Sequence, residues 1–286
     1  MSRLIGKTFR KMNGLGNDFV ILDLRADDYR LTETEAKKIA SRASGIGCDQ
    51  VITIEKPRKS AGTAIAFMGI KNADGSPAGA CGNAARCVAS ILFEETGKDR
   101  VEFETPSTSI RAHAVRDLIA VDMGRPKFNW RDIPLAEQTD DTRFVDIKLG
   151  PIDAPVLWGP SAVNVGNPHC VFFVDDAEAQ ALDKFGPMIE NHPIFPDRAN
   201  VSVAEVRSQH SIRLRVWERG AGITKACGTA ACAALVCASR RRLSARKATI
   251  TLDGGDLAIE WRENDHIIMT GPVAHEFDGT LRAEIF

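Results

Sequence analysis

The chain repeats itself. Cys81-Gly-Asn-Ala-Ala-Arg-Cys87 resembles Cys227-Gly-Thr-Ala-Ala-Cys232, so that in a chain of 286 residues the two leading cysteines lie 146 positions apart. Other elements recur around them in the same order. Gly16-Asn17-Asp18-Phe19-Val20 resembles Gly166-Asn167-Pro168-His169-Cys170-Val171, and Asp49-Gln50-Val51 resembles Ala199-Asn200-Val201, both displaced by 150 positions. Met123-Gly124-Arg125-Pro126 and Thr270-Gly271-Pro272 are 147 apart. A repeat at half the chain length makes each half a folding unit and gives each motif a counterpart.

The pattern of elements repeats as well. In each half a strand carrying Gly-Asn leads to an amphipathic helix, then to short strands, the Cys-Gly helix and more strands. Thr32 and Glu35 form a capping box for a helix running to about Ala43. Asp175 or Asp176 is expected to cap its counterpart, running to about Asn191. Alternation and β-branching mark strands at 51–55, 64–70, 101–105 and 110–115, and again at 162–165, 201–206, 212–217, 249–252 and 267–270. Many short strands around a few helices describe an α+β fold of two similar domains. The spacing places one domain at residues 1–126, with 276–286 returning to it, and the other at 127–275.

Composition excludes several classes of function. A formal charge of −1 supplies no field to gather nucleic acid or an anionic membrane. The N-terminus lacks the apolar core of about 7 to 15 residues that a secretory signal needs. The longest near-apolar run, 230–238, is about half of a membrane span. These features imply a soluble, cytoplasmic protein. The run Arg240, Arg241, Arg242, with Arg246 and Lys247, follows an apolar helical stretch and reads as a solvated helix C-cap.

Seven cysteines without disulfide-scaffold density imply reduced thiols, and neither Cys81 with Cys87 nor Cys227 with Cys232 has the Cys-x2-Cys spacing of a structural zinc site. No metal is expected. Cys48, Cys87, Cys170, Cys232 and Cys237 read as packing. Gly14-Leu15-Gly16 looks superficially like a dinucleotide fingerprint, but the third glycine is missing. His113, His192, His210, His266 and His275 belong to no motif.

Cys81 and Cys227 differ from the other five. Each follows a turn of glycine and small residues and opens an alanine-rich helix, so each lies near a helix N-terminus. There the unpaired amides and the macrodipole favour a thiolate and a bound carboxylate. Gly82 and Gly228 allow close approach of a ligand, and Asn83 and Thr229 add donors. A thiol pKa of about 8.5 needs only a modest downward shift for proton transfer near neutral pH. Two such ends across a domain cleft would hold one carboxylate and set a sulfur on each face of the neighbouring carbon. Inversion of a stereocentre follows from that arrangement. Asn72 and Glu218 each lie nine residues before their cysteine. Glu218, Arg219 and His169 are the groups able to set thiol protonation or hold an ammonium.

At these residues the chain resembles the diaminopimelate epimerases. The resembling blocks are Asn13 to Phe19, Gly47 to Gln50, Asn72 to Ser76, Cys81 to Cys87, Gly166 to His169, Asn200, Glu218 to Gly222 and Ala226 to Thr229, which extend over nearly the whole chain. The resemblance implies two domains, each a curled mixed sheet or barrel around a central helix, with the active site in the cleft between them. It implies interconversion of LL- and meso-diaminopimelate, in lysine and peptidoglycan precursor synthesis, without pyridoxal phosphate, metal or other cofactor. Cys81 and Cys227 match the acid and base. Gly82, Asn83, Gly228 and Thr229 match the groups that hold the reacting carboxylate. Asn17, Asn72, Asn167, Asn200, Glu218 and Arg219 match substrate-binding positions, Gln50 and His169 further pocket positions, and His169 and Glu218 assist the thiols.

The chain departs from the family pattern at Ala84 and Ala230, where glycine is frequent, at Ile223, where an acid is frequent, and at Lys225. A related racemase acting on proline, hydroxyproline or histidine is an alternative, although Asn72, Asn200 and Arg219 match groups that read a second polar end. A thiol redox or metal-binding protein is another, against which the cysteine spacings speak. Oligomeric state is left open, a homodimer included.

Overall fold

The computed structural model describes residues 2–59, 62–151 and 156–286. Contacts divide the chain into two units, Met1–Asp122 with Thr270–Phe286, and Met123–Met269. In unit 1 the strands are β1 (Thr8–Gly14), β2 (Asn17–Asp23), β3 (Gln50–Glu55), β4 (Phe67–Asn72), β5 (Arg100–Glu104), β6 (Ser109–Val115) and β7 (Leu118–Asp122). Unit 2 contains the short strands β8 (Lys148–Leu149) and β9 (Leu157–Trp158), then β10 (Ser161–Asn164), β11 (Pro168–Phe173), β12 (Asn200–Ser208), β13 (Ser211–Glu218), β14 (Gly222–Thr224), β15 (Lys247–Leu252) and β16 (Gly255–Trp261). Strand β17 (Ile267–Gly271) ends it, and β18 (Ala274–Thr280) returns to unit 1. The helices are α1 (Glu33–Ala40) and α2 (Gly82–Thr96) in unit 1, and α3 (Leu182–Glu190) and α4 (Gly228–Arg240) in unit 2.

Unit 1 orders its strands β7-β6-β5-β4-β3-β2-β1-β18, and unit 2 orders β10-β11-β12-β13-β15-β16 with β14 on β13. The duplication holds to the register. Phe19 lies beside Gln50 in the parallel pair β2 and β3, and His169 beside Asn200 in the parallel pair β11 and β12, each shifted by 150. Val51 faces Lys71 as Val201 faces Trp217. A register slip of one residue would turn every side chain to the other face, so this agreement fixes which residues line equivalent positions.

Each sheet curls about one helix. α2 touches β1, β2, β5, β6 and β7, strands from both ends of its sheet, and α4 touches β10 to β13, β15 and β16. Both helices are apolar nearly all round, as a helix enclosed by a sheet must be. Ala84, Ala85 and Ala89 in α2, and Ala230, Ala231, Ala233 and Ala234 in α4, are fully buried, their small side chains letting the strands come close. The outer helices cover the convex face, α1 on β3 and β4, α3 on β12 and β13.

Thr32 and Glu35 form the expected capping box on α1. The expected cap of α3 is not what forms. Its N-cap is Ala181, with no side-chain hydrogen bond, while Asp176 accepts from the backbone amides of Glu178 and Ala179 in a turn before the helix. The run Ala177 to Ala181 separates the two, because buried Ala177 anchors the turn to the unit 2 core. In the basic run that ends α4, Arg242, Arg246 and Lys247 are exposed, whereas Arg240 and Arg241 differ from a solvated cap. Arg240 stacks 4.0 Å from the Phe128 ring centre and Arg241 4.2 Å from that of Phe144, while the backbone amide of Arg241 caps the helix through Cys237 O. Cation–π stacking on these rings offsets part of the hydration that the two guanidinium groups give up.

Candidate active site

Both singled-out cysteines are N-cap residues: Cys81 of α2 and Cys227 of α4, each in extended backbone conformation. The Cys81 sulfur accepts a hydrogen bond from the amide of Ala84 at 3.5 Å. On its other side the thiol donates to Asn17 Oδ1 at 3.8 Å, and Asn83 Nδ2 donates to the same oxygen at 3.3 Å. Asn17, Cys81 and Asn83 thus form one cluster at the head of α2, although they lie far apart in sequence. Asn17 follows Gly16, whose φ of +82° is the left-handed conformation glycine tolerates; Gly166, before Asn167, has φ +111°.

A second cluster in unit 1 joins Gln50 and Asn72. Gln50 Nε2 donates to Asn72 Oδ1 at 3.0 Å, and Asn72 Nδ2 donates to Ser76 Oγ at 3.1 Å. The turn from Asn72 to Ser76 is closed by backbone hydrogen bonds between those two residues and from Gly75 to Asn72.

In unit 2, Cys227 is buried, with its sulfur 3.4 Å from Thr229 Oγ1. Burial first, and the facing Glu218 carboxylate next, push this thiol well above its ordinary pKa. The amide of Ala230, counterpart of Ala84, makes no cap hydrogen bond yet is near enough to ease deprotonation. Glu218 itself accepts from Thr224 Oγ1. Gly228 and Gly82 stand first in their helices and are buried, like Asn83 and Thr229 that follow them.

His169 is fully buried on β11, its Nε2 2.8 Å from Asn167 Oδ1, and its Nδ1 has no hydrogen-bond partner among the described residues. Burial, with the charge of Arg219 adding, pushes its pKa down to about 3, so the imidazole is neutral. Asn200 accepts the Arg219 amide at 3.0 Å and donates to Pro168 O at 3.2 Å. It shapes the turn that presents Arg219, whose guanidinium is exposed and donates to Asp197 O at 2.7 Å.

Several supporting residues were not singled out by motif. Asp49 accepts Asn17 Nδ2 at 2.8 Å, Arg42 spans Asp49 and Asp18, and buried Lys11 closes on Asp18 at 2.6 Å. Burial raises the Asp18 carboxyl, but hydrogen bonds from Arg42 and Lys11 outweigh it and hold the group well below the usual range. Arg86, fully buried, donates to Asn83 Oδ1 at 3.1 Å. In unit 2, buried Glu190 takes Trp217 Nε1 at 2.7 Å and the Gly220 amide at 2.9 Å, bracing the turn at Glu218 and Arg219. A signal existed for Asp18, a charge directly before the apolar run Phe19 to Leu22 of β2. Glu190 gave none.

Cys48, Cys87 and Cys237 are buried thiols that burial raises to about 12, and burial raises Cys170 well above its ordinary value too. Among the described residues no group of three or more His, Cys, Asp and Glu is arranged to hold a metal ion. No helix among them is long and apolar enough to cross a membrane.

A hydroxyproline epimerase from Agrobacterium vitis, solved with trans-4-hydroxy-L-proline bound, superposes with a TM-score of 0.70 at 12% identity, covering 99% of this chain and 94% of that one. A phenazine biosynthesis PhzF-family protein from Enterococcus faecalis superposes at 0.67 and 14% identity, covering 97% and 99%. These likenesses show the fold, two duplicated units that here each carry a cysteine at the head of the central helix.

Sequence comparison identifies the family. The profile of the family described as diaminopimelate epimerase matches residues 9–129 and 161–276. The diaminopimelate epimerase of Afipia carboxidovorans is 50% identical over all of this chain and 99% of its own, and that of Brucella anthropi is 51% identical over 96% and 91%. The chain belongs to the diaminopimelate epimerase family.

Proposed function

We propose that the protein interconverts LL- and meso-diaminopimelate by proton transfer between two thiols and the α-carbon, in the supply of lysine and peptidoglycan precursors. The observation that carries this reading is the equivalence of Cys81 and Cys227, N-caps of the enclosed helices in a chain about half identical to diaminopimelate epimerases along its full length.

One sulfur, as thiolate, takes the α-proton; the other, as thiol, returns a proton to the opposite face. One C–H bond breaks and one forms, and the two sulfurs exchange protonation states. The electron pair left on carbon spreads into the α-carboxylate, where amides at the helix heads, with Asn83 and Thr229, hold the developing charge. On this reading the two sulfurs flank one carbon, where two thiolates would repel, so the cysteines share one negative charge and titrate as a coupled pair. Gln50, Asn72, Asn167 and Asn200 read the substrate's polar groups, and exposed Arg219 supplies a cation for its distant carboxylate. Neutral His169 and anionic Glu218 adjust the thiols. The chemistry calls on no cofactor.

Reducing conditions keep both sulfurs active, which fits a cytoplasmic site. The test is exchange of the diaminopimelate α-hydrogen with solvent deuterium in metal-free buffer. The wild type should exchange and C81A and C227A should not; retained exchange in both variants would sink the reading. Sedimentation of the working enzyme distinguishes a monomer from a homodimer.

A further inference from the structure

Cys81 and Cys227 are equivalent, yet the acceptors that face them are not. Cys227 meets the Glu218 carboxylate, one step beyond the Val201–Trp217 pair. The residue at that step in unit 1 is Asn72, and it is engaged with Gln50 and Ser76. Cys81 instead meets Asn17 Oδ1, a neutral acceptor from β2.

An asparagine amide has a donor end and an acceptor end, and a flip exchanges them. We propose that Asp49 is a positioning residue for proton transfer at Cys81: by holding Asn17 Nδ2, it keeps the amide oxygen turned to the thiol. Asp49 Oδ2 accepts Asn17 Nδ2 at 2.8 Å and the Asp18 amide at 3.1 Å, while Oδ1 accepts Arg42 at 2.8 Å. Arg42 and Lys11 fix Asp18 in turn, and the Asp49 amide donates to Asp18 Oδ1 at 2.9 Å.

The fold itself does not require this network. Unit 2 keeps the same register with Ala199 at the position of Asp49, Pro168 at that of Asp18, and Ala162 opposite Cys170 as Lys11 is opposite Val20. There the duplicated asparagine is held by its other end, Asn167 Oδ1 meeting His169 Nε2. Two of the contacts of Cys81 pull in opposite directions. The Ala84 amide favours the thiolate, and the Asn17 oxygen favours the thiol. Charged groups acting further along this part of α2 include Arg86 and, from β18, Glu276.

The proposal rests on Cys81 being one of the two proton-transfer groups, but its test reads the sulfur directly and needs no turnover. The rate of Cys81 alkylation by iodoacetamide is followed against pH, with the Cys81 peptide quantified by mass spectrometry, in wild type, D49A, D49N, N17A and N17A/D49A. Loss of the neutral-form acceptor should move the midpoint to lower pH in D49A, with alkylation at pH 7 about three to ten times faster. D49N, whose carbonyl oxygen can still accept from Asn17, should restore the wild-type midpoint. N17A should move at least as far as D49A, and the double variant no further than N17A. An unmoved midpoint in D49A overturns the proposal, as does faster alkylation at every pH without a shift, the mark of simple loosening. An equal shift in D49N assigns the effect to lost charge and overturns it too. Should D49A not fold, an unmoved midpoint in N17A is sufficient to reject it.

Discussion

Gln50 and Asn72 face each other across β3 and β4, with Gln50 Nε2 donating to Asn72 Oδ1 at 3.0 Å. The other end of the Gln50 amide, Oε1, is buried and has no hydrogen-bond partner among the described residues. An unmet buried acceptor costs about 1–3 kcal/mol. A ligand ammonium that reaches it recovers that cost, so binding and stability pull in opposite directions at this residue. Gln50→Leu should raise KM for diaminopimelate about tenfold or more, with a smaller effect on kcat, and leave Tm unchanged or higher. Steady-state kinetics with a thermal melt checks both, and a lower Tm with unchanged KM would make Gln50 purely structural.

At Cys227 the facing carboxylate supplies a lever on protonation. Burial and Glu218 both hold the proton on the sulfur. Replacing Glu218 by Gln removes the anion and leaves the burial, so thiolate formation at Cys227 should begin at lower pH. In a Cys81→Ala background, the difference in ultraviolet thiolate absorbance between proteins with and without Cys227→Ala follows that sulfur. An unchanged or higher midpoint in E218Q would mean that the carboxylate does not act on Cys227.

The duplication made much of this legible before any coordinates. Cys81 and Cys227 are N-caps because glycine-rich turns precede them and alanines follow, and that local signal carries through to the fold. The register shared by Phe19–Gln50 and His169–Asn200 follows from blocks displaced by a constant 150 positions. What stayed hidden depends on tertiary packing. Nothing local tells Arg240 that Phe128 lies 4.0 Å away, or Glu190 that the Gly220 amide lies 2.9 Å away. The cap of α3 went astray for a related reason. Asp176 has the right chemistry, but buried Ala177 ties it to a turn one step too early.

Arg86 supports the head of α2 from inside the unit 1 core. It is fully buried and donates to Asn83 Oδ1 at 3.1 Å and to the Pro272 carbonyl at 3.4 Å, in the returning C-terminal segment. Arg86→Met keeps much of the volume and abandons those acceptors, and should cost about 2–5 kcal/mol. Gly14 is packed against the same group, since a Cβ there would lie 3.1 Å from Arg86 Nη2 and 3.2 Å from Asn83 Cβ. Gly14→Ala should therefore lower activity with a smaller loss of stability than R86M. Chemical denaturation ranks the two, and a wild-type R86M would show that the guanidinium contributes nothing net.

His169 should make stability fall on acidification earlier than carboxylates alone would. Its folded pKa of about 3 lies below the ordinary 6.5, so the unfolded chain binds the extra proton first. The stabilisation is complete above pH ~6.5 and is lost as pH falls from there towards 3. Full protonation linkage amounts to about 5 kcal/mol, from roughly 1.4 kcal/mol per pKa unit over the fall from 6.5 to about 3. Asp18, also held low, adds its loss only below the ordinary carboxylate range, which leaves pH 4.5 to 6.5 as the window where His169 dominates this pair. His169→Gln retains a side-chain donor for Asn167 but does not titrate. Its Tm, measured against pH across that window, should be flatter than that of the wild type; parallel curves would show that His169 carries no proton linkage.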